Sequence, residues 1–288
     1  MLDRICNLYT VICNLENSYT MYMNLLQAII LGIIQGLTEF LPISSSGHLA
    51  LANRILGIEG DNLMYFTLLH VATLLSVFTV FAKEMLALFR PPFKTLGLII
   101  LASIPAILAG LLLNSVIENA FADIRFLSFF FVLTAIFLLV TEMLAKQKRK
   151  DGSMLIRQRP GDIGLRTGLI MGFAQAAALF PGISRSGSTV GAGTLAGGNR
   201  ERVAKFSFFM SVPIILGAVS LEGFGAIRAG EAIFTVDILF GMIAAYISGL
   251  LAVSLMLKVI AKADYKWFSL YLVLLAAVCV VLAAAGVL

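Results

Sequence analysis

Residues 32–48 read GIIQGLTEFLPISSSGH, and residues 172–188 read GFAQAAALFPGISRSGS. Aligned at a spacing of 140, the stretches share Gly32/Gly172, Gln35/Gln175, Phe40/Phe180, Ile43/Ile183, Ser44/Ser184, Ser46/Ser186 and Gly47/Gly187. Seven matches in 17 positions exceed the roughly one or two that a skewed composition alone produces. Each copy is an apolar arm, a Pro, a Ser/Gly turn and a second, shorter arm. The copies differ where chemistry would sit: Glu39 stands opposite Leu179, Ser45 opposite Arg185, and His48 opposite Ser188. A duplicated scaffold with divergent polar tips points to one composite site built from both halves.

Outward from the repeat, the chain has 288 residues, 60% hydrophobic and 13% charged, which places it with integral membrane proteins. The net charge of +5 lies in loops and reports topology; nucleic acid is not an expected partner. Cys6, Cys13 and Cys279 form no CxxC or His/Cys cluster, so neither a disulfide framework nor a zinc site is indicated. Residues 1–24 are rich in Asn, Tyr and Cys and lack a signal-peptide core. They read as an extension without function, with a short external helix as the alternative, and residues 25–288 as a single membrane domain. Within it, a first repeat covers about 25–144, a loop 145–165, and a second repeat about 166–288.

Six stretches are long enough to cross a bilayer, which takes about 20 apolar residues: 63–82, 95–114, 126–144, 206–222, 233–257 and 267–288. The arms of the two motif regions are too short to span. A Pro-Ser-Gly turn at membrane depth is tolerated only where it lines a protein cavity, so both regions read as re-entrant hairpins. The charges support this. Loops 83–94, 145–166, 199–205 and 258–266 hold 3, 7, 3 and 3 Lys or Arg, 16 of the chain's 21. Loops 53–62, 114–125 and 223–232 hold one each, Arg54, Arg125 and Arg228. The positive-inside rule makes the first set cytoplasmic. The first hairpin then enters from outside and the second from inside. The expected fold is all-α and polytopic: six transmembrane helices plus two re-entrant helical hairpins in an inverted-topology repeat. Pro105 and Pro213 fall inside spans.

A carboxylate in hydrocarbon costs at least ~2.5 kcal/mol, so Glu39 is expected to face a polar cavity, with Gln35 one turn before it on the same face. A serine at a helix start is first an N-cap. That accounts for one of Ser44, Ser45 and Ser46, not for three followed by Gly47 and His48. A helix N-terminus with free N–H groups binds anions. The second turn repeats this with Ser184, Ser186 and Gly187 and adds Arg185, whose planar fork suits phosphate. A structural Arg185–Glu39 pair is the plainer alternative. Together the tips read as a phosphate or diphosphate pocket. His70, mid-span, reads as a buried hydrogen-bonding group rather than a catalyst, with a place on the pocket lining as the alternative. Glu84, Glu142 and Asp237 lie at span ends and read as interfacial.

On Gln35–Glu39, on Pro42-Ile43-Ser44-Ser45-Ser46-Gly47-His48 and on Pro181-Gly182-Ile183-Ser184-Arg185-Ser186-Gly187, the chain resembles the undecaprenyl-diphosphate phosphatase family, also known for bacitracin resistance. The resemblance covers residues 25–288. It implies an integral membrane hydrolase that converts a polyprenyl diphosphate to the monophosphate and so recycles the lipid carrier of cell-envelope synthesis. It carries the family's functional residues onto Glu39, Ser45, His48 and Arg185. It also implies a divalent cation, Mg²⁺ or Ca²⁺, with Glu39 as the residue to anchor it. Gln35, an amide where the family's first acidic residue falls, weakens a two-carboxylate metal site.

The expected chemistry gives Arg185 and the turn amides the diphosphate. Ser45 is the first choice of nucleophile, His48 the acid/base, and Glu39 orients His48, activates Ser45 or anchors a cation. His48 itself, or an activated water, stays open as the attacking group. The rival is a polyprenyl-phosphate transporter, since inverted repeats with broken helices also build carriers. The expected partners are a polyprenyl diphosphate lipid and the bilayer, with a homodimer left open. The expected location is the plasma membrane, with an outward-facing site.

Overall fold

The computed structural model describes residues 23–58, 62–122, 124–150, 163–229, 235–262 and 264–286. All but the last two residues of the 1–24 extension lie outside the described residues, as does most of loop 145–165. Among the described residues every regular element is a helix. They are α1 (Leu25–Thr38), α2 (Ser45–Ile55), α3 (Leu63–Val80), α4 (Ala82–Leu88), α5 (Lys94–Leu112), α6 (Asn114–Ala122), α7 (Ile124–Lys150), α8 (Leu165–Ala177), α9 (Arg185–Leu195), α10 (Arg200–Ala229), α11 (Val236–Lys262) and α12 (Tyr265–Ala284).

Six helices are long and apolar enough to cross a membrane: α3, α5, α7, α10, α11 and α12. They match the six expected spans. One boundary difference is at the start of α10, which begins at Arg200 although its apolar run begins at Phe206. Asn199 accounts for it: its Oδ1 accepts the backbone N–H groups of Glu201 and Arg202 at 3.1 and 3.3 Å. That is N-capping, which lets a polar first turn be helical. Pro105 and Pro213 lie inside α5 and α10.

The motif regions are pairs of short helices. At 1.5 Å per residue, α1 and α2 reach only ~21 and ~17 Å, short of a ~30 Å hydrocarbon core. They fold back on each other: Gln27 Nε2, near the start of α1, donates to Leu56 O, just past the end of α2, at 3.1 Å. Asn24 and Gln27 form a capping box at that start. In the second hairpin a Cβ on Gly193, late in α9, would lie 2.8 Å from Met171 Sδ in α8, so these arms are also side by side.

Packing follows the repeat. In chain order α1, α2, α3, α5 and α7 correspond to α8, α9, α10, α11 and α12. Helix α1 packs on α11, and α8 on α5; α3 packs on α11, and α10 on α5; α3 packs on α10, and α7 on α12. Exchanging the halves maps this set onto itself, which is consistent with an inverted repeat, although α9 packs on α7 and α10 more extensively than α2 does on the counterpart helices α12 and α3. Gly32 and Gly172 show why one identity recurs. A Cβ on Gly32 would overlap the carbonyl oxygen of Gly241 in α11, and one on Gly172 the carbonyl oxygen of Ala102 in α5. Small residues let membrane helices approach backbone to backbone.

Buried apolar residues form two clusters, one around α1, α3 and α11, the other around the hairpin tips, α7, α10 and α12. Glu142, at a span end, is not interfacial but buried: it is 3% exposed and accepts from Arg200 Nη2 at 2.6 Å, while that guanidinium lies 4.5 Å from the Tyr265 ring centre. The pair ties α7, α10 and α12 together.

Candidate active site

The two hairpin tips meet. Ser186 Oγ donates to Leu41 O at 2.7 Å, and Arg185 Nη2 donates to Glu39 Oε1. The turns that carry these residues are built alike. Ser44 and Ser184 are N-caps, each accepting the backbone N–H of the glycine three residues on, Gly47 at 3.3 Å and Gly187 at 3.1 Å. Ser46 and Ser186 lie 3.4 and 3.3 Å from the Oγ of their respective caps. Thr134 of α7 braces the second turn: its hydroxyl donates to Gly182 O at 3.1 Å and accepts from Ser184 N at 3.3 Å. Ser44 differs from its counterpart in holding φ at +66°. That left-handed backbone costs a non-glycine residue roughly 1–2 kcal/mol, and the next residue, Ser45, bonds Glu39.

Glu39 is 6% exposed and sits at the centre. Its Oε2 accepts from Ser45 Oγ at 2.6 Å and from Gln35 Nε2 at 2.9 Å, and His70 Nε2 stands 3.5 Å away. Its Oε1 takes the Arg185 guanidinium, whose Nη1 also reaches Ser207 O at 3.4 Å. A guanidinium has five N–H donors, and these contacts use two. The Arg185–Glu39 ion pair is thus formed, and both partners line a cavity of about 250 Å³. Ser44, Ser45, Ser46, Ser184 and Ser186 line it too, as do Thr67 and His70 of α3. Gly47 and Gly187 take part through their backbone N–H groups at the caps.

His48 turns away from this group. Its ring stacks on Tyr271 of α12 at 5.7 Å with 4° between planes, and its Nε2 lies 2.6 Å from the Tyr271 hydroxyl. Its Nδ1 is 2.7 Å from Ser44 O. A carbonyl only accepts, so Nδ1 carries the proton and, in the neutral ring, Nε2 accepts from Tyr271. His48 thus holds the Ser44 turn to α12. His70 is the histidine on the cavity wall: its Nδ1 donates to Phe66 O at 2.7 Å and its Nε2 faces Glu39. The sequence signal for it was a polar pair, Thr67 and His70, on one face of an apolar span.

The donor set does not fit a divalent ion held by the protein alone. Glu39 already engages both oxygens, Gln35 brings an amide, and no group of three His, Cys, Asp or Glu converges among the described residues.

Six spanning helices around two inward-folded hairpins, with a serine, a carboxylate and a guanidinium at the tips, define a polytopic membrane protein with a buried polar centre. A family model described as bacitracin resistance protein BacA matches residues 28–278. An undecaprenyl-diphosphatase of Carboxydothermus hydrogenoformans is 37% identical over 268 residues, 92% of this chain and 99% of that protein. Undecaprenyl-diphosphatase 4 of Bacillus thuringiensis subsp. konkukian is 40% identical over 252 residues, 86% of this chain and 93% of its own. An undecaprenyl-diphosphatase of Bacteroides fragilis is 36% identical over 272 residues, covering 90% and 98%. The chain belongs to the bacitracin resistance protein BacA family.

Proposed function

We propose that this protein hydrolyses undecaprenyl diphosphate, or a closely similar polyprenyl diphosphate, to the monophosphate and inorganic phosphate. The observation that carries the reading is the 2.6 Å hydrogen bond from Ser45 Oγ to Glu39 Oε2 on a cavity wall that also bears Arg185. A carrier would use the anion-binding turns and Arg185 but has no need of a serine held on a carboxylate.

In this reading Arg185 and the N–H groups of the two turns bind the terminal phosphate. Ser45 Oγ attacks its phosphorus in line, the bridging P–O bond breaks, and its electron pair leaves on the polyprenyl monophosphate. The Ser45 proton passes to Glu39 Oε2 and from there to solvent. Water then attacks the phosphoserine, Glu39 takes a proton from that water, and Ser45 Oγ recovers it as the second P–O bond breaks. His48 serves as a brace for the Ser44 turn.

The membrane is taken to be the cell membrane and the site to face outside. Phe40, Phe81 and Phe208 pack together, with ring centres 5.4 and 6.1 Å apart, on the side of Ala82 and Arg200. The cavity wall runs the other way, along Thr67 and His70 of α3 and from Ser211 to Ala218 of α10. That direction leads away from the basic loops, which the positive-inside rule assigns to the cytoplasm.

The test is phosphate release from undecaprenyl diphosphate by the purified protein in detergent, with Glu39→Gln alongside. Release that the variant lacks, while the variant still binds the lipid, is the expected result. A variant that turns over normally and merely melts at a lower temperature would reduce Glu39 to a structural ion-pair partner.

A further inference from the structure

We infer that His70 is the group through which Glu39 exchanges protons with the cavity, its Nε2 taking the Ser45 proton on from Glu39 Oε2. The inference rests on the phosphatase reading above and fills the step between Glu39 and solvent.

Glu39 is closed in. Only 4% of its side-chain surface is exposed, so a proton received from Ser45 has no direct way to water. Among the described residues, the side chains that bond or ion-pair with the carboxylate are those of Ser45, Gln35, Arg185 and His70. Ser45 is the source of the proton. An amide does not take one up, and a guanidinium does not give one away. His70 remains. Its side chain is 26% exposed and lines the cavity, so a proton carried on it can reach water.

The ring is held for this exchange. Its Nδ1 donates to Phe66 O, one turn back in α3, at 2.7 Å. That bond keeps the proton of the neutral ring on Nδ1 and leaves Nε2 with a lone pair. Nε2 stands 3.5 Å from Glu39 Oε2, the same oxygen that accepts from Ser45 at 2.6 Å. The separation lies beyond the ~2.7–3.2 Å of a made N–H···O bond, as suits two facing acceptors. A proton arriving on Oε2 supplies the missing donor.

The Ser45 O–H bond thus breaks as Oγ bonds phosphorus, and its proton moves to Oε2 and then to Nε2. The imidazolium keeps its Nδ1–H on Phe66 O and releases the Nε2 proton to water in the cavity. Glu39 is again a carboxylate, ready to take a proton from the water that attacks the phosphoserine. The helices packed on α3 bring no rival. Helix α1 has no charged residue before Glu39, α10 has none from Ser211 to Ala218, and α11 has none between Asp237 and Lys258. The Tyr246 hydroxyl of α11 is 3.1 Å from Thr79 Oγ1.

Phosphate release from undecaprenyl diphosphate in detergent is measured for wild type, His70→Gln and His70→Ala, together with each melting temperature. The Gln side chain keeps a hydrogen-bonding group but takes up no proton. Its kcat should fall about a hundredfold, the low end for a positioned acid–base group, with KM within about threefold of wild type. The Ala change opens a ring-sized gap beside the cavity. Added imidazole should raise kcat of that variant about tenfold, and pyrazole, a ring of the same size but a far weaker base, should not. A His70→Gln protein with kcat within threefold of wild type overturns the inference. Equal restoration by both rings overturns it by making His70 a packing residue, and restoration by neither overturns it as well. Where His70→Ala does not fold, kcat of His70→Gln decides alone. Wild type that releases no phosphate sinks the phosphatase reading before any variant is compared.

Discussion

Glu39 holds a carboxylate amid apolar helices because every lone-pair direction that matters meets a donor. Arg185 covers Oε1; Ser45 and Gln35 cover Oε2. The arrangement ties binding to chemistry, since the cation that neutralises Glu39 is also the group proposed to hold phosphate. Arg185→Lys keeps the charge and loses the fork that reaches Glu39 and Ser207 together. Phosphate release should drop at least about a hundredfold, the scale of a lost preorganised donor. Near-normal turnover would make Arg185 a point charge only. Tyr271→Phe separates bracing from catalysis at His48. It removes the 2.6 Å bond to His48 Nε2, so stability in detergent should fall by about 1 kcal/mol, while kcat should stay within about threefold. Loss of turnover at unchanged stability would return His48 to proton transfer. Position in sequence, three residues after Ser45, favoured His48 over His70 for the reacting group. Side-chain direction reverses that order, because the ring of a residue in α2 can face α12 as readily as the cavity, and spacing along the chain does not say which.

Helices were the most legible level, since a bilayer imposes a length that hydropathy reads directly. All six spans and both short-armed regions were visible that way. What hydropathy missed were the short helices Ala82–Leu88 and Asn114–Ala122 and the polar first turn of α10. These lie where charged or mixed residues make no long apolar run and capping sets the boundary instead. The repeat also yields a paired test. Gly32→Ala and Gly172→Ala each put a Cβ into a neighbouring backbone carbonyl, of Gly241 and of Ala102. Overpacking of this kind costs about 1–3 kcal/mol, and the two variants should lose similar amounts in thermal unfolding. A tolerated change at either position would show that its helix pair is free to separate.

At the scale of the whole molecule, the halves are interlocked: α1 packs on α11 and α8 on α5, so neither repeat completes its own helix contacts. By the positive-inside rule the loop charges predict one orientation for both. In a cysteine-free background, a cysteine replacing exposed Ile55 should react with an impermeant thiol reagent added to intact cells. One replacing Arg90 should react only after the membrane is opened. The opposite pattern would invert the topology and turn the cavity toward the cytoplasm. The bond between Glu39 and Arg185 joins residues 146 positions apart, and this has a consequence for biosynthesis. A ribosome adding 5–20 residues per second needs roughly 7–30 s to make the second partner after the first. For that interval the nascent chain carries an acidic group bound for the bilayer without the cation that will neutralise it. The insertion machinery must shelter or protonate that group until the second half arrives.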